Sequence, residues 1–469
     1  MTEHSHASIP SHSGISSSLR VPYFSSTTMA GSHPLNLDSI PEHPASSACS
    51  TPPSEHLHYL SNLKVFLTAL VILHHTAIAY GGQGSTAYNS PSHPQGSEPA
   101  LVAFNAVNQT FFVAMFFFIA GFLSKRSLER KGGGGEGLWG FVRGRCWRLC
   151  VPTLVYSLFA PGLCQVMVEL AKGTEVGWWT IMVEDWHGIR GVRGPVWFCA
   201  LLLLFDLGLA GWCGLQTRAI ALPASESPTE DGAVNDVKLC AALALLTTFD
   251  FFWRIYFPVG KIFVPLNLNM AYLPQYIVAY IFGTRGRSPL HAVANRAAMG
   301  PIVAWSALSS IVLMRDLLAG NGPEDPGDGS TGGINILAAA YAVWNNSMGY
   351  ILGRGLLFAF HQHGDYEAKA ISKLAYTAFL IHMPVSTGIE VASEGCLAGA
   401  LLNTAVVGTS NIFASWTLAW LCEAGLSSWR AIVRQVHDSC VKINRNKKRR
   451  SLRKGHGSEI LEGLDDVGI

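Results

Sequence analysis

Two ionisable side chains, Lys64 and His75, lie in the first long apolar stretch of the chain. They are eleven residues apart, which on a helix places them within roughly 20° of one face and about 16 Å apart along the axis. An ionisable residue is costly inside a membrane span, so each is a functional hypothesis. Imidazole titrates near neutral pH, so His75 is a candidate proton acceptor or acyl acceptor. The structural alternative is a histidine hydrogen-bonded between helices, with Lys64 extended towards the lipid head groups.

Two further histidines lie in apolar stretches. His74 points about 100° away from His75 on a helix, which by itself indicates a structural role. His382 follows Tyr376 in a later stretch and is either a second residue of the same cavity or a packing histidine. Because the histidine is doubled, His74 also stays a candidate for the catalytic residue.

An acid and a base lie four residues apart in another apolar stretch, at Asp250 and Arg254. This spacing permits an ion pair within one helix, and we interpret the pair as structural. Asp206 has no charged residue nearby in the sequence that would pair with it, so its role is left open.

Arginines cluster just before another apolar stretch, and Arg143 and Arg148 are the candidates for binding a ligand. Arginine suits phosphate because its planar guanidinium forms two parallel hydrogen bonds. The alternative is that both belong to the excess of basic residues typical of cytosolic loops.

Composition excludes several classes of protein. Charged residues form 14% of the chain, against about 25% in a soluble domain, which argues against a soluble globular enzyme. The 13 Trp and 23 Phe argue against a disordered or fibrous chain. A net charge of +2 gives no basic excess for nucleic acid. The ten cysteines form no CxxC pair, so we predict neither a metal site nor a disulfide framework.

The elements that must position these side chains are long apolar stretches. A membrane-spanning helix needs about 20 mostly apolar residues, and about ten stretches meet this criterion. The predicted fold is therefore all-α, a polytopic transmembrane bundle of about ten spans. The stretches are 60–80, 101–123, 149–170, 195–215, 239–256, 268–282, 297–318, 334–360, 374–391 and 397–426.

The chain divides into a long membrane domain and two tails. Residues 1–55 are rich in Ser, His and Pro and lack hydrophobic periodicity, which predicts disorder. Residues 56–429 hold the spans, and residues 430–469 form a basic tail. Lys and Arg concentrate after the even-numbered spans and in the C-terminal tail, which predicts that both termini are cytosolic.

Several short motifs agree with one family in order and spacing. They are the basic residue, ten residues and histidine of Lys64 and His75, FFFIAGF at 116–122, GPVWF at 194–198, and the segment 376–384. With these motifs the chain resembles the acyltransferase-3 family of multi-pass membrane acyltransferases, whose relatives include glucan-modifying succinyltransferases. The resemblance runs from about residue 59 to residue 420.

The resemblance implies transfer of an acyl group from a cytosolic thioester to a hydroxyl of a carbohydrate, lipid or small molecule. The donor would be acyl-coenzyme A, such as acetyl-coenzyme A, used as a co-substrate without a tightly bound cofactor. His75 would be the base or the acyl acceptor, and Lys64 would orient the donor. Arg143 and Arg148 would hold the coenzyme A phosphates. The expected partners are membrane lipid, the donor and the acceptor, and no nucleic acid.

Two other classes stay open from the sequence. About ten spans with buried His, Asp and Arg also suit a proton-coupled transporter or exporter without covalent chemistry. An inverted internal repeat would favour that class, and the sequence shows none. The other alternative is a membrane scaffold without catalytic activity.

Overall fold

The computed structural model describes residues 57–131, 135–175, 177–219, 236–285, 299–318, 332–428 and 435. Apart from position 435, the tails predicted at 1–55 and 430–469 lie outside these residues. The division of the chain into a membrane domain and two tails stays a prediction.

The described residues form helices with almost no sheet, which confirms the all-α prediction. A five-residue π-helical turn, Cys146–Cys150, joins the helix Gly135–Arg145 to the helix Val151–Ala171. The helices are α1 His58–Ala79, α2 Pro99–Arg130, α3 Gly135–Arg145, α4 Val151–Ala171, α5 Trp178–His187, α6 Trp197–Ala219, α7 Asp236–Tyr256, α8 Leu273–Arg285, α9 Met299–Leu318, α10 Ile336–His363, α11 Lys369–Ala392 and α12 Ala400–Ser428.

Within the described ranges, six helical segments are long and apolar enough to cross a bilayer. Helices of this length and composition are typical of an integral membrane protein. The prediction of about ten spans is not settled by this count. The six segments are His58–Ala79, Pro99–Arg130, Gly135–Ala171, Gly194–Gln216, Val237–Tyr256 and Ala400–Ser428.

The close crossing of α2 and α8 depends on two glycines. A Cβ atom on Gly121 would overlap the backbone carbonyl of Tyr280, and a Cβ on Gly283 would overlap the carbonyl of Phe118. Small residues of this kind let two membrane helices approach until their backbones touch. The crossing brings the aromatic face of α2 against Tyr276 of α8, which packs on the Phe117 ring at a centroid distance of 5.2 Å.

The predicted span 268–282 is only partly helical. Its first residues form strand β2, Leu268–Asn269, which pairs antiparallel with β1, Ile262–Phe263. Asn267 adopts a left-handed conformation with φ of 50° and turns the chain between the strands. The Asn269 side chain accepts a hydrogen bond from the backbone N–H of Ala271 and starts the short helical turn before α8.

Candidate functional site

The two adjacent histidines near the end of α1, His74 and His75, lie in different environments. The Asn105 side-chain amide of α2 donates to His74 Nδ1 and to the His74 carbonyl, both at 3.0 Å. The His74 ring is buried and packs on Phe112 at a centroid distance of 4.9 Å. A histidine held in this way is a structural residue first, which favours His75 as the reactive one.

His75 presents a ring nitrogen that no other described residue uses. Its ring is hydrogen-bonded with the backbone of Ser85, in the loop between α1 and α2. Its Nδ1 atom is covered from water and has no hydrogen-bond partner among the described residues. The fixed ring and the free nitrogen together suit a group that exchanges a proton with a bound substrate.

His382 of α11 lies against His75. The two ring centroids are 5.4 Å apart, with 39° between the ring planes. His382 Nδ1 donates to the Phe379 carbonyl at 2.6 Å, which fixes the ring. Its Nε2 has no hydrogen-bond partner within the described chain, and the side chain is 0% exposed. The structure therefore brings His75 and His382 together, with His382 in the more buried position.

A cavity of about 1230 Å³ lies in front of these histidines. Both His74 and His75 line it, whereas His382 is not among its lining residues. Its rim comes from three loops, at 83–87, 188–194 and 259–269. The second and third of these loops are joined where the Val192 N–H donates to the Pro265 carbonyl at 3.0 Å. The cavity is therefore reached from the end of α1 that carries His75.

Lys64 lies nearer the other end of α1 and does not line this cavity. The Arg148 guanidinium is close enough for its positive charge to interact with the Lys64 ammonium group. The Arg148 guanidinium lies over the Tyr376 ring at 5.4 Å, and the Tyr376 hydroxyl donates to the Arg148 carbonyl at 2.8 Å. Arg148 belongs to the π-helical turn, a feature often found at functional sites. Arg143, by contrast, is exposed on α3, with no contact described to Lys64.

The two aspartates that the sequence analysis singled out in the spans are both paired. Arg254 Nη2 lies 3.7 Å from Asp250 Oδ2, and Asn346 donates to the same oxygen at 2.7 Å. Asp206, left open from the sequence, lies 3.2 Å from Arg145 Nε and accepts from the Tyr280 hydroxyl at 2.7 Å. The spacing of Asp250 and Arg254 predicted their pairing, whereas the partners of Asp206 are too distant in sequence to be predicted from local spacing.

The sequence analysis missed Glu390 of α11, which is 1% exposed. The Asn411 amide of α12 donates to Glu390 Oε1 at 3.2 Å and to the Thr76 hydroxyl at 2.8 Å. The rule applied to Lys64 and His75, that an ionisable residue in a span is a functional hypothesis, would have selected it. It lies beside the residue that follows His75, but it does not line the cavity.

The described residues contain no group of three or more His, Cys, Asp or Glu side chains placed to hold a metal ion. The histidine pair alone does not supply the four ligands of a structural zinc site. The groups of this site that could take part in a reaction are its imidazoles, and the cavity could hold a substrate beside them.

Comparison with known proteins identifies one family. A model described as an acyltransferase domain, that of the acyltransferase-3 family, matches residues 57–420. The match begins just before α1 and ends within α12, so it includes both ends of the site. No curated protein and no solved structure matches the chain.

Proposed function

Because the chain belongs to the acyltransferase-3 family, we propose that it transfers an acyl group from acyl-coenzyme A to a hydroxyl group of an acceptor bound in the cavity. The family membership confirms the resemblance seen in the sequence and makes the protein an acyltransferase of the membrane. The donor, the acceptor and the catalytic histidine are our proposal.

The observation that carries the proposal is the free Nδ1 of His75 at the wall of a large cavity. A hydroxyl is a weak nucleophile near neutral pH and needs a base. His75 takes the hydroxyl proton while the oxygen attacks the thioester carbonyl. The tetrahedral intermediate collapses, the carbon–sulfur bond breaks, and the imidazolium returns the proton to the coenzyme A thiolate. Alternatively, His75 accepts the acyl group first and the hydroxyl then attacks the acyl-histidine.

The donor would approach from the opposite end of α1. Lys64 and Arg148 form a basic pair there, and guanidinium and ammonium groups are common phosphate ligands. The eleven residues from Lys64 to His75 cover about 16 Å of helix, a path along which the acyl arm would reach the histidine. Arg143 would contribute at the exposed entrance. With both termini cytosolic, this end faces the cytosol.

The test uses purified protein in lipid nanodiscs with radiolabelled acetyl-coenzyme A. Wild type, His75→Ala and the matched control His363→Ala, an exposed histidine at the end of α10, are compared for coenzyme A release and for label on the protein. We expect release by wild type and control, and a fall of about 100-fold or more in His75→Ala. Label on wild type and on the control, but not on His75→Ala, identifies the acyl-histidine route.

Full release by His75→Ala would overturn the assignment of the histidine. No release with any of several acyl donors, together with proton-coupled uptake, would replace the enzyme by the carrier that the sequence left open. A protein that neither releases coenzyme A nor transports would be the scaffold.

A further inference from the structure

The cavity has a continuous aromatic lining that begins at the histidine pair. Phe379 lies 5.7 Å from the His382 ring and 6.0 Å from Phe198, measured between ring centroids. Phe198 continues to Trp197 at 6.5 Å. We call this lining the aromatic wall, and all its members line the cavity: Phe379, Phe198, Trp197, Tyr276, Tyr272, Tyr341 and Trp344.

Three successive rings of the wall lie nearly parallel. Trp197 and Tyr276 are 5.8 Å apart, and Tyr276 and Tyr272 are 6.3 Å apart, each pair with 27° between the ring planes. The series then passes through Tyr341 to Trp344, whose rings are 5.8 Å apart with 41° between their planes. A cavity lined by so many rings favours an apolar, ring-bearing molecule, which gains both buried area and ring contacts.

Several polar groups along the aromatic wall are already hydrogen-bonded within the protein. The side-chain N–H groups of Asn105 donate to His74. The Gln109 amide donates to the Tyr276 hydroxyl at 3.1 Å, and the Tyr272 and Tyr341 hydroxyls are 2.8 Å apart. A carbohydrate would bury many hydroxyls that need partners of their own, and each unpaired one would weaken binding. An apolar skeleton avoids this cost.

Near its far end the wall offers a hydroxyl donor. In the Tyr272–Tyr341 pair one hydroxyl donates to the other, which leaves a single O–H for a ligand. The Arg254 guanidinium lies 5.3 Å from the Tyr272 ring and 5.0 Å from the Tyr341 ring, and Arg254 is 1% exposed. A cation over the rings draws electron density from them and strengthens the outward donor, which suits a carbonyl oxygen.

From this geometry we infer that the acceptor is an apolar, ring-bearing alcohol whose rings lie on the aromatic wall. Its hydroxyl is at His75 and a carbonyl oxygen is at the Tyr272–Tyr341 pair. The inference rests on the proposed function for the role of the hydroxyl. The cavity of about 1230 Å³ exceeds the usual range of roughly 300–1,000 Å³ for small-molecule sites, so several fused rings fit.

Binding is measured first, with protein in nanodiscs and empty nanodiscs as the blank for partitioning into lipid. The probes are tritiated pregnenolone, a fused-ring alcohol with a ketone far from its hydroxyl, and its analogue without the ketone. Maltoheptaose and hexadecanol represent carbohydrates and unringed lipids. We expect pregnenolone to bind at least about tenfold more tightly than either of these.

Variants locate the probe. Tyr341→Ala and Trp344→Ala should each weaken pregnenolone binding by about tenfold. The matched controls Tyr256→Ala and Trp212→Ala, at exposed rings outside the wall, should leave it unchanged. Tyr341→Phe, which keeps the ring, should reduce the preference for the ketone over the analogue. Each variant is first checked for a single monodisperse species.

The outcomes separate this inference from the proposed function. His75→Ala should abolish the acetylation of pregnenolone from acetyl-coenzyme A, while the contacts of its rings with the aromatic wall keep its binding measurable above the blank. Binding without acetylation by wild type would overturn the enzyme but not the ligand class. Tighter binding of maltoheptaose or hexadecanol, no binding above the blank, or binding indifferent to Tyr341→Ala and Trp344→Ala would overturn the ligand class.

Discussion

The His382 ring contacts the His75 ring, and a role of His382 in catalysis can be tested separately from its packing. His382→Phe keeps a ring of similar size against His75 but removes Nε2, the nitrogen without a partner in the described chain. If His382 positions His75 or shares its proton, kcat should fall by about 10- to 100-fold at unchanged KM. The pH profile of kcat should also move. Full activity and an unchanged profile in His382→Phe would reduce His382 to a packing residue.

Lys64 tests the donor end of the site. Lys64→Ala should raise KM for acetyl-coenzyme A by about tenfold, because a charge-assisted contact to phosphate is lost. With S-acetylpantetheine, which lacks the nucleotide phosphates, wild type and variant should perform alike. Lys125→Ala, at a lysine paired with Glu129 on the surface of α2, is the control. An equal loss with both donors would contradict a phosphate role for Lys64.

The residues that the sequence identified were those that stand out within one segment. Lys64, His75 and His382 are ionisable in apolar stretches, and local pattern is enough to see that. Glu390 is one residue from the end of the predicted span 374–391, where a carboxylate would normally reach water. It is buried because Asn411 and Thr76, distant in sequence, meet it there. An acid in an apolar stretch is visible in the sequence, but the tertiary contacts that bury it leave no local signal.

Among the helices, the crossing of α2 and α8 is the most sensitive to side-chain size. Gly121→Ala places a methyl group against the Tyr280 carbonyl, and overpacking of this kind costs about 1–3 kcal/mol. The thermal unfolding midpoint in detergent should fall. Gly211→Ala on α6, where a Cβ meets nothing within 4 Å, should leave the midpoint unchanged or raise it slightly, since alanine favours helix. A midpoint unaffected by Gly121→Ala would mean that the crossing is looser than described.

The loop between α1 and α2, residues 81–98, is tied to the loop after α11 through Glu394. Burial raises the pKa of Glu394, but hydrogen bonds from Ser92, Ser90 and Tyr88 outweigh it and hold the pKa below its ordinary value. A carboxyl whose pKa is lowered by folding stabilises above its unfolded pKa, and this contribution is lost as pH falls through the folded pKa.

The amides of residues 81–98 should therefore be well protected against hydrogen exchange at neutral pH. After correction for the pH dependence of intrinsic exchange, their protection should fall in acid, below about pH 4. Glu394→Gln should show the lower protection already at neutral pH, because a neutral amide cannot accept the hydrogen bonds of Ser92, Ser90 and Tyr88 as a carboxylate does. Corrected protection that does not change with pH in wild type would show that Glu394 does not hold the loop.

Element boundaries were predicted where hydropathy changes sharply and missed where charge lies inside a helix. The predicted span 149–170 is the second half of a helical segment that begins at Gly135. Its first half carries arginines that hydropathy assigns to a loop, yet Arg145 is accommodated because Asp206 pairs with it. In 268–282 the left-handed turn at Asn267 and the hairpin replace the start of a span.

For the whole molecule, composition was sufficient to predict an all-α membrane protein, while the topology of its ends rests on loop charge alone. Cys396 is exposed between α11 and α12, after a predicted odd-numbered span. In a variant whose only cysteine is Cys396, a membrane-impermeant maleimide should label Cys396 when it is added to intact cells, or to sealed vesicles whose non-cytosolic face is outside. Lys131→Cys in the cysteine-free background should be labelled only after permeabilisation. The reverse pattern would invert the molecule and place both termini outside.

The cavity rim and the Lys64–Arg148 pair lie at opposite ends of α1. This separation determines which molecules have to cross the bilayer. If each substrate enters at its own end, neither coenzyme A nor the alcohol has to cross. Only the acyl group passes the midplane, and it does so as part of the reaction. The enzyme would then deliver acyl groups to a compartment that contains no coenzyme A, and no separate exporter would be needed for the donor.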